Sequence, residues 1–268
     1  MPADTPPNPR ERAGYVLAFE DTFAGDSLDP SKWWPYDLPH WSSRAASAAR
    51  YTVADAALTL FIAADQKPAK PETDGDLRSS VLQTGQFSGP VGSPVGQHRF
   101  APGLTVREAQ ETQKLYLPHY GLIEMRAKMD LGRDDLAALW TIGFEDEPGR
   151  SGEITICEVF GKGVTADTAE LCYGIKPITD PKLKDGDLRT DTLPFDPADF
   201  HIYTAEWTPD GVAFFLDNKE LGRVSQSPDY PMQLMLGVFA LPATQASAGP
   251  RHLPTFTVDS VRGYRRAG

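Results

Sequence analysis

From Leu122 to Asp130 the side chains alternate without a break: Ile123, Met125, Ala127 and Met129 take one face of an extended chain, and Glu124, Arg126, Lys128 and Asp130 take the other. A period of two excludes a helix, whose apolar positions recur every three or four residues. It describes a strand with one dry face and one charged face. Short runs rich in β-branched and aromatic residues, bounded by Gly, Pro, Asp or Asn, recur along the chain. They lie at Ala57 to Ala64, Gly121 to Leu131, Leu136 to Phe144, Glu153 to Phe160, Glu170 to Ile175, His201 to Trp207, Val212 to Leu216, Met232 to Leu241 and Thr255 to Tyr264. Turn residues at Pro209 to Gly211 and at Asp217 to Lys219 predict two successive hairpins. The whole predicts an all-β fold, a two-sheet antiparallel β-sandwich.

With 268 residues and neither internal repeat nor low-complexity linker, the chain reads as a single sandwich domain over 15–268. A Pro-rich lead-in over 1–14 reads as flexible. Two long stretches, about 86–114 and 178–199, are rich in Gly and Pro or in Asp, Pro and Lys and read as loops, candidates for the walls of a cleft. The net charge of −11 would repel nucleic acid or an anionic membrane, which leaves neutral or cationic partners. No apolar run approaches the roughly twenty residues of a membrane span. The first ten residues lack the basic start and apolar stretch of a secretory signal, so the expectation is a cytoplasmic protein unless the sequence is a mature secreted form. The two cysteines, Cys157 and Cys172, read as partly buried free thiols, with one bridge as the alternative.

The chemistry concentrates in Gly152-Glu-Ile-Thr-Ile-Cys-Glu158. In a regular strand Glu153 and Thr155 share one face, whereas Glu158, five residues on, points to the other with Ile154. Burying that carboxylate in a sandwich core would cost several kcal/mol. One extra residue near Ile156 and Cys157, a β-bulge, returns Glu158 to the face of Glu153. Two carboxylates on one concave face suit glycosidic cleavage: a retaining enzyme needs them about 5 to 5.5 Å apart, an inverting one about 6.5 to 9.5 Å. The alternative is a pair of solvated acids on an exposed strand. Cys157 as nucleophile is a rival that lacks a histidine partner in its strand.

These residues resemble the signature of glycoside hydrolase family 16, Glu-x-Asp-x-x-Glu on a bulged strand. The resemblance extends along most of the chain: Phe19-Glu-Asp-Thr-Phe23 with Leu28, Asp29 and Trp33; Tyr120-Gly-Leu-Ile-Glu124-Met-Arg126-Ala-Lys128; Leu139-Trp140; Phe200-His-Ile-Tyr-Thr-Ala-Glu-Trp207-Thr-Pro with Phe215-Leu-Asp217; and Val258 to Tyr264. It implies a jelly-roll sandwich with a cleft on its concave face and retaining, endo-acting hydrolysis of a β-linked polysaccharide, with β-1,3-glucan favoured. A carbohydrate-binding protein with little or no catalysis on the same fold is the alternative. By position Glu153 is implied as nucleophile and Glu158 as general acid/base. The family's middle Asp is Thr155 here, an orienting hydroxyl without charge, which implies a weakened enzyme or an acidic optimum.

Around the pair, Trp140 is the first candidate for a sugar platform, with Trp41, Tyr116, Trp33 and Trp34 behind it and Trp207 read as core. Glu124 and Arg126 are expected near the cleft, with an ion pair of Arg126 to Glu124 or Asp130 as the alternative. His98 and His119 are expected to border it. The five histidines show no metal spacing and no cofactor is expected, although many members of the resembled family carry a structural Ca²⁺. The expected partner is a neutral polysaccharide or oligosaccharide, bound by a monomer.

Overall fold

The computed structural model describes residues 4–243 and 251–268. Among these residues sixteen strands follow one another: β1 (Tyr15–Asp21), β2 (Tyr51–Ala54), β3 (Ala57–Phe61), β4 (Arg78–Gln83), β5 (Gly85–Gln86), β6 (Gln113–Lys114), β7 (Gly121–Asp130), β8 (Asp135–Gly143), β9 (Glu153–Val164), β10 (Ala169–Lys176), β11 (Leu188–Leu193), β12 (His201–Thr208), β13 (Gly211–Leu216), β14 (Lys219–Val224), β15 (Met232–Ala240) and β16 (Thr255–Arg266). Single-turn helices α1 (Arg44–Ser47) and α2 (Pro71–Asp74) sit in the connections.

One sheet has eight strands, in the order β14-β13-β12-β7-β16-β3-β2, with β1 paired to the far half of β16. The other has six, in the order β11-β10-β9-β8-β15-β4, and all pairings are antiparallel. Between them lies the core. Met125, Ala127, Phe256 and Val258 project from the larger sheet, and Leu139, Ile154, Val159, Leu171, Leu234 and Leu236 from the smaller, all buried in one cluster. Truncating one of these leucines to alanine would cost about 2–5 kcal/mol. A second apolar cluster, with Trp41, Val81, Leu104, Val106, Ile142 and Met235, forms on the opposite face of the six-stranded sheet. It glues the long connection between β5 and β6 onto that face and leaves the remainder as a hollow.

Two hairpins sit where the turn residues put them, and Asp217 and Asn218 both adopt positive φ (49° and 64°), the type I′ geometry that matches strand twist. Gly121 opens β7 at φ 117°, where a Cβ would lie 1.8 Å from the Tyr264 carbonyl oxygen, so no other residue fits there.

Two expectations are corrected. Residues 178–199 are not one loop: Leu188–Leu193 forms β11, an edge strand paired to β10. Its side chains are mostly exposed, so it carries little of the apolar alternation that reveals a half-buried strand. The lead-in, read as flexible over 1–14, is held to the eight-stranded sheet over 4–14. Thr5 N–H donates to the Phe200 carbonyl at 2.7 Å, Arg126 Nε to the Thr5 carbonyl at 2.6 Å, Arg262 Nη1 to the Asn8 carbonyl at 2.9 Å and Tyr264 OH to the Arg10 carbonyl at 3.0 Å. Side chains of the charged face of β7 and its neighbours thus satisfy an irregular backbone, an arrangement with no local signal.

Candidate active site

The bulge falls within β9. On one side Cys157 pairs with Leu139 and Thr155 with Trp140, which leaves Ile156 as the extra residue; on the other, Glu158 pairs with Cys172 and Thr155 with Gly174. Ile156 and Cys157 both enter the core, 2% and 0% exposed. Glu153, Thr155 and Glu158 therefore share the outward face, and both glutamates line one cavity of about 460 Å³. Gly174, at φ 141°, lets the chain at Asp187 approach where a Cβ would lie 2.0 Å from its carbonyl.

Lys176, at the end of β10 opposite Glu153, joins the pair. Its Nζ lies 2.9 Å from an oxygen of Glu153 and 2.9 Å from one of Glu158. Thr155 Oγ1 donates to the same Glu153 oxygen at 2.7 Å. Burial raises the Glu158 carboxyl above its ordinary range, the Lys176 ammonium opposes that rise and the Glu153 charge adds to it. Burial by itself would lower the Lys176 ammonium, but the two carboxylates outweigh it and hold it above its ordinary value. Two acids separated in environment and bridged by one cation can hold one proton between them. Burial pushes the Cys157 thiol far up, so it is inert as a nucleophile.

The floor of the cavity is Leu136, Ala138 and Trp140 from β8 with Met235 and Phe239 from β15. Trp140 tilts against Phe239 with ring centroids 5.9 Å apart and keeps part of its surface open. One wall carries Asp37, Lys70 and Asp74, and His98 and Phe100 come from the long connection after β5. That connection is pinned from below: Gln97 Nε2 donates to Gln233 Oε1 at 2.6 Å, Trp41 Nε1 to the Gln97 carbonyl at 2.9 Å, and His98 N–H to Glu145 Oε1 at 2.5 Å. Burial lowers the His98 imidazole, and the nearby Glu153 charge only partly opposes this, so the ring is neutral at ordinary pH.

Of the side chains expected around the cleft, Trp140 and His98 line the cavity and several others lie elsewhere. Glu124 and Arg126 lie on the outer face of the eight-stranded sheet, across the core from the cleft. Glu124 binds Arg12 and Asn8, and Arg126 pairs with Asp259 beneath Phe200 rather than with Glu124 or Asp130. The charged face of β7 is real, but it serves the N-terminal segment. Trp41, 1% exposed, is committed to the Gln97 carbonyl, and Trp33, 0% exposed, donates to Asp21 from the core. Trp34 packs against Tyr36 and does not line the cavity. Tyr116 stacks on Phe19 at 4.5 Å, and His119 packs on Trp207 and pairs with Asp229, both outside the cavity. The 178–199 stretch lends no residue to it either. Unanticipated are Lys176, Lys70, Asp37, Asp74 and Phe239; only Lys176 left a trace, since it ends a strand that must neighbour the bulged one. Cys157 and Cys172 are both free and buried. Among the described residues no three His, Cys, Asp or Glu side chains converge as a metal site. No helix among them is long and apolar enough to cross a membrane.

A family model described as glycosyl hydrolases family 16 matches residues 107–258, more than half of the chain. A glucan endo-1,3-beta-glucosidase of Cryptopygus antarcticus is 35% identical over 124 residues, 44% of either chain. Glucan endo-1,3-beta-glucosidase A1 of Niallia circulans is 25% identical over 222 residues, which is 81% of this chain and 30% of that one. The chain thus spans less than half the length of these curated relatives. Among solved structures, a GlcNAcα1-4Gal releasing endo-β-galactosidase from Clostridium perfringens superimposes with a TM-score of 0.85 at 31% identity, over 98% of this chain and 66% of that one. The laminarinase catalytic domain from Thermotoga petrophila, at 18% identity and a TM-score of 0.63 over 95% and 99% of the two chains, shares the fold.

Proposed function

This chain belongs to glycosyl hydrolases family 16, and on that premise we propose that it cuts internal bonds of a neutral β-linked polysaccharide of the β-1,3-glucan type, with retention of configuration. The observation that carries the reading is the bulge that turns Glu153 and Glu158 to one face, where one lysine touches both. Glu153, ionised and oriented by Thr155, attacks the anomeric carbon while Glu158 donates its proton to the leaving oxygen; Glu158 then activates the water that releases the glycosyl enzyme. Lys176 follows the charge. It faces the anion of Glu153 before attack, and once that carboxylate is esterified it faces the newly formed anion of Glu158, which favours the base form when the base is needed. With four acids against two lysines, the cavity favours a neutral chain over an anionic one.

Two glucan-cleaving relatives support the glucan assignment. The endo-β-galactosidase, similar over 98% of this chain, supports a second reading in which the unit at the cut is a β-galactoside. Reducing-end release from laminarin, mixed-linkage glucan and galactose-containing glycans, followed by proton NMR of the first anomer formed, separates them. Release of the β-anomer that is abolished in Glu153→Gln is the expected result. An α-anomer first, or binding without release from any of these polymers, refutes the retaining enzyme.

A further inference from the structure

Lys70 is 6% exposed, yet its ammonium donates no hydrogen bond among the described residues. Its nearest partners, oxygens of Asp37 and Asp74, lie at 3.6 and 3.7 Å, beyond hydrogen-bond reach. An ammonium carries three donors, and this one, open to the cavity rather than sealed in the core, can turn them to a ligand there. The group is held in place. Ser79 Oγ on β4 donates to the same Asp37 oxygen at 2.6 Å, α2 presents Asp74, and the Phe100 ring lies 5.3 Å from the Lys70 nitrogen. Lys70, Asp37, Asp74 and Phe100 line the cavity that holds Glu153 and Glu158.

Resting on the reading of this cleft as a glycan site, we propose that Lys70, Asp37 and Asp74 form a second polar subsite, which binds adjacent hydroxyls of a neutral hexose unit remote from the cut. The ammonium donates to one hydroxyl oxygen and the flanking carboxylates accept from its neighbours. Two carboxylates around one lysine repel sulfate or uronate, which leaves the neutral diol as the ligand. Asp37 is anchored to β4 and the glutamates stand on β9, with β8 and β15 between them. Three strand spacings separate them by about 14 Å. The hexose at Lys70 is therefore a different unit from the one being cleaved, and Trp140 and Phe239 lie on the floor between.

The test uses the full chain carrying Glu153→Gln, titrated calorimetrically with β-1,3-linked glucose oligomers and β-linked galactose oligomers from disaccharide to hexasaccharide, with and without Lys70→Met. Asp74→Asn serves as the second variant, because it leaves Lys70 in place and weakens the same contacts. For the series that binds, each change is expected to lower affinity for the longer oligomers about tenfold, the worth of one hydrogen bond to a charged group, and to leave the shortest nearly unchanged. Equal affinities with and without both changes, an equal loss at every length, or no binding of either series to the Lys70-intact protein overturns the subsite. Hydrolysis by the wild type with no length-dependent effect overturns the subsite but not the enzyme; length-dependent binding without hydrolysis does the reverse.

Discussion

Replacing Lys176 by methionine removes a charge that touches both glutamates and keeps most of the volume. At the 2.9 Å separation from Glu158, Coulomb's law with an effective dielectric of about 20 gives about 6 kcal/mol as a ceiling. The attraction is shared with Glu153, and water entering the vacated space screens what remains. Measured opposite-charge partners at this range move a carboxyl by about 1 to 3 pH units, or about 1.4 to 4 kcal/mol. The sign is set by Glu158, already raised by burial and restrained by Lys176. Without the lysine it rises further, holds its proton to higher pH, and the basic limb of kcat/KM moves up by about 1 to 2 pH units. Activity at low pH falls too, because the anion of Glu153 loses its cation, and kcat drops about tenfold or more as Glu158, holding its proton more tightly, donates it less readily to the leaving oxygen. The assay is the pH profile of reducing-end release for wild type, Lys176→Met and Lys176→Arg, with thermal unfolding as the folding control. Arginine should restore most of the wild-type profile. If methionine lowers the rate with both limbs unmoved, the charge is irrelevant and the reasoning about Lys176 is wrong.

Thr155→Asp puts a third carboxylate beside Glu153, so the basic limb should again move upward; a profile with neither a faster rate nor a shifted limb contradicts the orienting role of Thr155. Deleting Ile156 removes the bulge and turns Glu158 toward the core, which should abolish hydrolysis and destabilise the fold by several kcal/mol, read by urea unfolding at pH 7 and pH 4; retained activity would refute the register argument. The His201–Asp217 pair should make stability pH-dependent. Burial would lower His201, but Asp217 at 2.7 Å outweighs it, so that contribution is full below the ordinary imidazole value and lost as pH rises through the folded one. Burial would raise Asp217, but its bonds to His201 and the Ile202 N–H outweigh it, so its contribution is present above the ordinary carboxyl value and lost as pH falls. The pair should thus contribute most, about 1 to 3 kcal/mol, between those two values, and His201→Phe should flatten the Tm–pH curve there; an unchanged curve would refute it.

Most of the strands were legible because alternation is a local property: β7, β8, β9, β12, β13, β15 and β16 lie where the period-two runs put them, within a few residues. The bulge was legible for the same reason, since an outward carboxylate five residues after another permits no regular strand through Ile154 and Ile156. Strands that are exposed or short carry less of that pattern, and β11 was lost among loop residues. Placement across the sandwich was not local. The charged face of β7 looks the same whether it opens on a cleft or, as it does, meets residues 4–14, and only the strand order puts it on the far side of the core. Trp41 and Tyr116 are aromatic like Trp140, yet long-range packing buries one, stacks the other on Phe19 and leaves Trp140 partly open. Lys176 meets the glutamates because antiparallel pairing returns it opposite Glu153, and Lys70 reaches the cavity from an unrelated connection. A chain determines by itself what repeats within a few residues; contacts between distant segments are decided by how the sheets pair and pack, and that is where the charges around Glu153 and Glu158 were settled.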